Sequence, residues 1–434
     1  MKPLPIFLKD LTSIRQVFSS LHSRNYRIYF TGQGISLIGT WMQHIAMSWL
    51  VYRLTGSVFL LGLIGFTSQI PSFVLSPLTG VLTDRYNRQK IMVLAQVSFM
   101  LQALILTLLV MFNLIQVWHI IVLSLIFGII SAFDSPARHA LVIDLIDKQE
   151  DLGNAIALNS ALFNGARLVG PAIAGMAIAA VGEGVCFLIN TISYLSIILA
   201  LVRIKIPSKL VTETYANIKD SLSEGFHYTF RSVPIRSLLL LLAVLSLAGF
   251  PYIVLMPAYA KEILLGGPET LGFLMSGMGA GAIIGAFYMA ARKSVLGLGK
   301  IIAAGSMTMG ISIIAASFSR ELHFSLIIFF FAGLSMIVSI AAINTMLQTI
   351  ADEDKRGRVM SFYAMALMGT TPIGNLLAGI VASGIGIPYT LLLGGVITVI
   401  SGIWFQSSRK SLRKTIHPIY RSKGILPALP DELS

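Results

Sequence analysis

Charge is scarce in this sequence: Asp, Glu, Lys and Arg make up 12% of its 434 residues, whereas soluble domains carry about 25%. Hydrophobic residues reach 55%, and the mean hydropathy is +0.81. A chain this poor in charge cannot cover a water-exposed surface, so the composition excludes a soluble globular protein. It predicts an all-α membrane protein, because a helix satisfies its own backbone hydrogen bonds in lipid.

Cysteine is almost absent, and so are the motifs of common catalytic sites. The single cysteine, Cys186, excludes an intrachain disulfide. The sequence holds no G-x-x-x-x-G-K-[S/T] loop for ATP, no H-E-x-x-H zinc motif and no G-x-S-x-G nucleophile elbow. Its seven histidines lack metal-ligand spacing. We therefore expect no enzyme activity, no metal and no cofactor.

The net charge of +13 would favour nucleic acid only if the cations formed one surface. All but four of the 32 Lys and Arg residues fall in the termini and in alternate loops. The exceptions are Arg53, Lys261 and Arg320 in the opposite loops and Arg167 inside an apolar segment. This distribution is a positive-inside bias, so we expect no nucleic-acid partner, both termini in the cytoplasm, and a multi-pass protein of the inner (plasma) membrane. Residues 1–27 show no cleavable signal peptide.

Twelve apolar stretches are long enough to cross a bilayer as helices. We predict spans at 28–53, 57–83, 90–111, 116–137, 154–181, 184–204, 236–261, 268–291, 299–319, 322–349, 358–384 and 387–407. These form two six-helix halves, 28–204 and 236–407, joined by a basic linker at 205–235. An amphipathic segment at 1–27 precedes them, and a basic, proline-containing tail at 408–434 follows, which we expect to be poorly ordered.

The two halves repeat weakly in sequence. Leu37-Ile-Gly39 corresponds to Leu247-Ala-Gly249, and Ala174-Gly175 corresponds to Ala378-Gly379, with nearly the same separation each time. A nearly constant separation across six spans predicts duplication of a six-helix unit.

A short basic turn, Gly80-Val-Leu-Thr-Asp84-Arg85-Tyr-Asn87-Arg88, joins the second and third spans. Its cations predict a cytoplasmic position, because Lys and Arg resist translocation. We expect Gly80 to let neighbouring helices approach closely, and Asn87 to adopt the left-handed backbone of a tight turn.

Arg167 and Asp134 are charged residues placed at membrane depth by the predicted spans. An arginine at membrane depth costs about 2.5–3.5 kcal/mol, so Arg167 should face a partner or a wet cavity. It either donates hydrogen bonds to carbonyls as a structural residue or anchors an anionic, oxygen-rich substrate. Asp134 lies near the cytoplasmic end of span 4, at a different depth, and we expect it to pair with Arg88 and with Arg138, one turn away.

Polar residues inside several spans are candidates for lining a substrate cavity, although each could equally bond one helix to another. His44 titrates readily, so His44 or Asp134 could carry a coupling proton; the other interpretation of His44 is a packing histidine. The substrate-binding candidates are Arg167, Gln33, Trp41, Gln43, His44, Asn164, Asn344 and Asn375.

The turn motif Gly80-x-Leu-x-Asp84-Arg85-x-x-Arg88 resembles the signature between helices 2 and 3 of the major facilitator superfamily of secondary transporters. The resemblance implies twelve transmembrane helices in two pseudo-symmetric six-helix bundles. Two residues depart from the pattern, since Asn87 replaces a glycine and Gln89 replaces a frequent cation. The resemblance further implies a conformational latch made of Gly80, Asp84, Arg85, Arg88, Asp134 and Arg138.

Span 5 resembles the motif that marks exporters of this superfamily, carried by Ala166, Gly170, Pro171, Ala174 and Gly175, with the two alanines in place of glycines. A helix-packing surface without bearing on transport direction is the other interpretation. Three further stretches, Asn25–Phe30, Gly39–Gln43 and Phe133–Arg138, are similar to the branch that contains siderophore exporters and macrolide-efflux proteins.

The resemblance implies secondary active export of a siderophore or similar amphiphilic metabolite by rocker-switch alternating access. H⁺ is the expected coupling ion, the small-molecule substrate and the lipid bilayer are the expected partners, and a monomer is the expected state. A multidrug or macrolide-type efflux transporter is the second hypothesis. A transport-dead membrane scaffold or sensor is the third, disfavoured because the latch residues are present and no soluble module is added.

Overall fold

The computed structural model describes residues 19–204, 227–292 and 294–427, without the side chains of Pro77, Val81 and Asp84. Eleven helices in these ranges are long and apolar enough to cross a membrane. A further helix of 32 residues at the start of the described chain is long enough but more polar. No strand occurs in the described ranges. The predicted all-α membrane fold is therefore confirmed.

The helices are numbered α1 to α12 in chain order. Their bounds are Arg24–Thr55, Val58–Arg85, Arg88–Met111, Val117–Asp144, Leu152–Val181, Glu183–Arg203, Val233–Ile263, Pro268–Ala291, Leu298–Phe318, Leu322–Ile350, Arg356–Ile385 and Ile387–Ser422. Helix α7 contains π-helical turns at Leu245–Gly249 and Tyr259–Ile263, and α11 contains one at Met365–Gly369. The predicted amphipathic segment (1–27) and linker (205–235) lie largely outside the described residues.

The chain divides into two compact units of helices. The first unit comprises Met1–Leu54 and Thr67–Thr212, and the second comprises Thr55–Phe66 and Glu213–Ser434. Helix α2 therefore contributes its beginning to the second unit and its remainder to the first.

The same glycine contact occurs once in each unit. In the first unit, a Cβ added to Gly128 of α4 would lie 2.7 Å from the backbone oxygen of Ser68 in α2. In the second unit, a Cβ added to Gly333 of α10 would collide with the backbone oxygen of Met278 in α8. Since α8 and α10 follow α2 and α4 by six helices, both units use one packing device at equivalent places, as the sequence repeat predicts.

A second pair of contacts repeats in the same way. A Cβ added to Gly170 of α5 would lie 3.1 Å from the backbone oxygen of Ile38 in α1. A Cβ added to Gly374 of α11 would lie 2.5 Å from the backbone oxygen of Leu247 in α7. Each unit thus packs its fifth helix on its first through a glycine.

Two helices extend well beyond their predicted ends. Helix α4 continues from 137 to Asp144, and α12 continues from 407 to Ser422. The prediction of a poorly ordered tail is therefore wrong for 408–422. Leu412, Ile416 and Tyr420 recur every four residues and are buried, so this basic segment is an amphipathic helix with a packed apolar stripe.

The α2–α3 turn corrects two expectations. Asn87 has φ −62° and ψ 113°, and its side chain accepts a hydrogen bond from the backbone N–H of Lys90 at 3.0 Å. It is therefore the N-cap of α3 and not a left-handed turn residue. Among the described residues, a Cβ added to Gly80 would meet nothing within 4 Å, so no close approach of a described helix depends on this glycine.

Candidate functional site

Asp134 is the centre of a buried polar cluster in the first unit. Its side chain is 2% exposed, and its carboxylate pairs with the Arg138 guanidinium one turn later on α4. The same carboxylate accepts a hydrogen bond from Nε2 of Gln96 on α3 at 2.7 Å. A buried carboxylate requires such partners, because desolvation otherwise penalises its charge heavily. The expected Asp134–Arg138 contact is present, whereas Gln96 was not among the predicted residues.

Arg88 has a different partner from the one expected. Its Nη1 lies 2.9 Å from Oδ2 of Asp144 at the last residue of α4. The prediction of an Arg88–Asp134 contact is therefore wrong. The error arose because span 4 was predicted to end at 137. That end placed Asp144 in a loop and left Asp134 as the acid nearest to the α2–α3 turn.

For two other residues of the predicted latch, Asp84 and Arg85, the structure shows no ion pair among the described side chains. The side chain of Arg85 is exposed, and that of Asp84 is not among the side chains that the structure describes. Gln89, which replaces a frequent cation of the family pattern, donates hydrogen bonds from Nε2 to the backbone oxygens of Leu201 and Ile204 at 2.6 and 2.9 Å. These carbonyls lie at the end of α6, where the helix leaves acceptors unsatisfied, so Gln89 is a capping residue.

Three predicted substrate residues meet in one aromatic cluster of the first unit. The Arg167 guanidinium carbon lies 5.7 Å from the centroid of the Trp41 ring, within cation–π range. The ring centroids of Trp41 and His44 are 5.8 Å apart. Phe163 lies 5.8 Å from Trp41, and Phe127 lies 5.1 Å from His44. A cation among flat apolar rings can bind a planar or amphiphilic anion.

The oxygen and the nitrogen of the Gln43 side-chain amide both have partners within the first unit. Its Oε1 accepts from Nδ2 of Asn190 at 2.7 Å, and its Nε2 donates to Oε1 of Gln102 at 3.0 Å. All three side chains are buried, and they come from α1, α6 and α3. Such a chain of amides bonds helix to helix.

The remaining polar candidates do not join the aromatic cluster by any contact described. Gln33 is 2% exposed, and Asn164 donates at 2.8 Å to a carbonyl one turn earlier on its own helix. In the second unit, Asn344 accepts at 2.6 Å from an amide one turn later, and Asn375 is 5% exposed beside Gly65.

The exporter-type motif forms the surface by which α5 packs on α1. Ala166, Pro171, Ala174 and Gly175 are buried along with Gly170. A Cβ added to Gly170 would lie 2.6 Å from Cβ of Trp41. The motif therefore sets how closely Trp41 and Arg167 approach, which connects helix packing to the aromatic cluster.

We expect Gly170→Ala to destabilise the protein by about 1–3 kcal/mol, because the added methyl group overpacks the α1–α5 contact. Gly165→Ala is the matched control on the same helix, since its Cβ would meet no described atom within 4 Å. That control should be neutral or more stable by up to about 1 kcal/mol. Melting temperatures in detergent measure both, and equal values for the two variants would contradict the packing argument.

A family described as a transmembrane secretion effector matches residues 15–418, nearly the whole chain. The chain belongs to this family of major facilitator superfamily transporters. The predicted superfamily is thereby confirmed, and so is the prediction of a membrane transporter that is not an enzyme.

Relatives match over most of their length. The chain is 26% identical to the Staphyloferrin A transporter of Staphylococcus aureus, covering 88% of this chain and 96% of the relative. It is 24% identical to Macrolide efflux protein A of Streptococcus pyogenes, covering 86% and 94%.

Solved structures resemble the fold at low identity. A POT family transporter in complex with a thioalcohol-conjugated peptide gives a TM-score of 0.72 at 12% identity, covering 90% of this chain and 96% of that one. A bacterial homologue of the human lysosomal transporter Spinster, inward-facing and unoccupied, gives 0.68 at 13% identity, with coverage of 90% and 98%.

Proposed function

We propose that this transporter exports a small amphiphilic anion, of the siderophore class, out of the cell. The observation that carries the proposal is the cluster of Arg167, Trp41 and His44. A guanidinium binds carboxylate, catecholate or hydroxamate oxygens through two parallel hydrogen bonds, while the rings contact the apolar part of the ligand. The staphyloferrin A transporter among the relatives supports the same class.

A macrolide-type multidrug exporter is the second candidate function. Phe163 and Phe127 extend the aromatic surface on both sides of Trp41 and His44. Such a surface suits large apolar ligands without a negative charge. The macrolide efflux protein among the relatives supports this alternative.

We further propose that the two six-helix halves work by rocker-switch alternating access. In this proposal the protein is a monomer in the plasma membrane, and both of its termini lie in the cytoplasm. The cation-rich α2–α3 turn and the basic α12 extension support this orientation, since Lys and Arg are retained on the cytoplasmic side. Asp134–Arg138 and Arg88–Asp144 are the ion pairs that we assign to the latch.

Proton exchange is the proposed driving force, because the sequence lacks an ATP motif. His44 is the favoured carrier: its side chain is exposed and lies in the aromatic cluster, whereas Asp134 is buried against two donors.

Inverted membrane vesicles test the substrate and the driving force together. We expect ATP-independent accumulation of a carboxylate siderophore when a proton gradient is imposed, and near-complete loss of accumulation with a protonophore. His44→Gln should remove the response to the gradient while leaving downhill exchange. Accumulation of a neutral macrolide in place of the siderophore would favour the second candidate, and undiminished accumulation without any ion gradient would rule out coupling.

A further inference from the structure

The α12 extension, residues 408–422, is docked on the second unit by one face. Leu412, Ile416 and Tyr420 are buried on that face, while Lys410, Arg413 and Lys414 are exposed. A basic amphipathic helix that continues a membrane span lies where lipid headgroups begin, since its apolar stripe is already covered by protein and its cations remain in water.

The extension ends in a turn that fixes Lys423. Gly424 has φ +68°, and the backbone N–H of Ile425 donates to the oxygen of Tyr420 at 2.8 Å. This is the hydrogen bond of a Schellman motif, which needs a left-handed residue that glycine supplies at least strain. Nζ of Lys423 then donates to the backbone oxygens of Thr349 and Ala351 at 2.8 and 2.6 Å, at the end of α10.

An open cavity of about 360 Å³ lies beside this contact, within the second unit. It is lined by Thr345, Gln348 and Thr349 of α10, Arg356 at the start of α11, and Lys423. Among the residues that the structure describes, the lining thus contains two cations and no acid. Exposed Asp352, Glu353 and Asp354 precede Arg356 in the chain but are not part of the lining.

Several hydrogen-bond donors of the lining residues are left without partners in the described part of the chain. Nε of Arg356 is buried and has no hydrogen-bond partner among the described residues. Gln348 uses Nε2 toward Asn344, which leaves the second amide hydrogen. Lys423 uses two of its three ammonium hydrogens. The hydroxyls of Thr345 and Thr349 donate to backbone oxygens, so the binding capacity resides in the two cations and the amide.

We propose that this cavity binds a phosphate-bearing anion at the cytoplasmic end of the second unit. Two cations and an amide donor surround a volume that suits a headgroup phosphate, and basic pockets between helices at this membrane level bind such groups. The bound phosphate bridges α10, α11 and the α12 extension, which makes the extension a part of the site.

Native mass spectrometry of the full-length protein in neutral detergent tests the proposal. The probes are short-chain phosphatidylglycerol, zwitterionic phosphatidylcholine and inorganic phosphate. We expect phosphatidylglycerol to bind, and Arg356→Gln and Lys423→Gln each to weaken it about tenfold or more. Lys414→Gln removes the same charge from the exposed face of α12 and should change affinity less than about twofold.

The two sources of phosphate are separated by the inorganic phosphate arm. If inorganic phosphate competes with phosphatidylglycerol, and the same variants weaken its binding, the site accepts phosphate in general. If phosphatidylglycerol alone binds, the site is a lipid site. Because Lys423→Gln also removes a cap of α10, Arg356→Gln keeps the test independent of stability. The proposal is overturned if none of the three probes binds, if Arg356→Gln binds as wild type does, or if Lys414→Gln weakens binding equally.

Discussion

Asp134→Leu will destabilise the protein by about 3–5 kcal/mol and abolish export, because it leaves the Arg138 guanidinium without its buried counter-ion. The Asp134 side chain is 2% exposed and that of Arg138 is 19% exposed, so water cannot replace the lost carboxylate fully. Melting temperature in detergent and export at matched membrane abundance measure the two effects separately.

A double variant distinguishes the latch from a structural pair. Asp134→Leu with Arg138→Met replaces both charges by apolar groups of similar volume, which is often neutral or stabilising. We expect stability to recover most of this loss while export stays lost; the buried Gln96 amide, left without its acceptor, keeps a residual cost of about 1–3 kcal/mol. Full export by the double variant would show that the pair only holds α4 in place and would remove it from the latch.

The Arg88–Asp144 pair is the matched comparison for stability. Its side chains are 32% and 12% exposed, so solvent screens the interaction more strongly. Arg88→Gln should therefore destabilise the protein by no more than about 1 kcal/mol. A loss as large as that of Asp134→Leu would mean that burial is not what sets the energies of these pairs.

Most of the fold could be predicted because each crossing requires about 20 apolar residues, and such runs are visible without any partner. The ends of α4 and α12 could not be predicted in this way. Beyond the bilayer these helices carry charges on one face, so hydropathy treats them as loops. The apolar spacing of Leu412, Ile416 and Tyr420 was the available signal.

The site was less predictable than the fold, because sequence spacing does not show which polar groups meet. Gln43 shares α1 with Trp41 and His44, yet its partners Gln102 and Asn190 are 59 and 147 residues away. A polar residue in a span bonds either to a ligand or to another helix, and only the neighbouring helices decide between these. The same reason applies to Arg88, whose partner Asp144 depends on the length of α4.

Arg167 is the residue whose replacement should reveal most about the substrate. Arg167→Met removes a charge that is costly to desolvate, so the variant should insert as well as wild type. If the guanidinium binds substrate, export of a carboxylate siderophore should fall at least about tenfold, while export of a neutral macrolide persists. Arg167→Lys keeps the charge but loses the planar fork and its stacking on Trp41, so it should be intermediate for the siderophore.

The controls for this series lie on the same two helices. Asn164→Ala, one turn before Arg167, removes a side chain that bonds to its own helix and should leave both substrates unaffected. Trp41→Leu removes the ring beneath the guanidinium and should reduce export of both substrates, because each contacts the aromatic surface. If Arg167 is structural, Arg167→Met will instead lower abundance and melting temperature and reduce both substrates in proportion. A stable Arg167→Met variant that exports the siderophore at the wild-type rate would contradict both interpretations of Arg167.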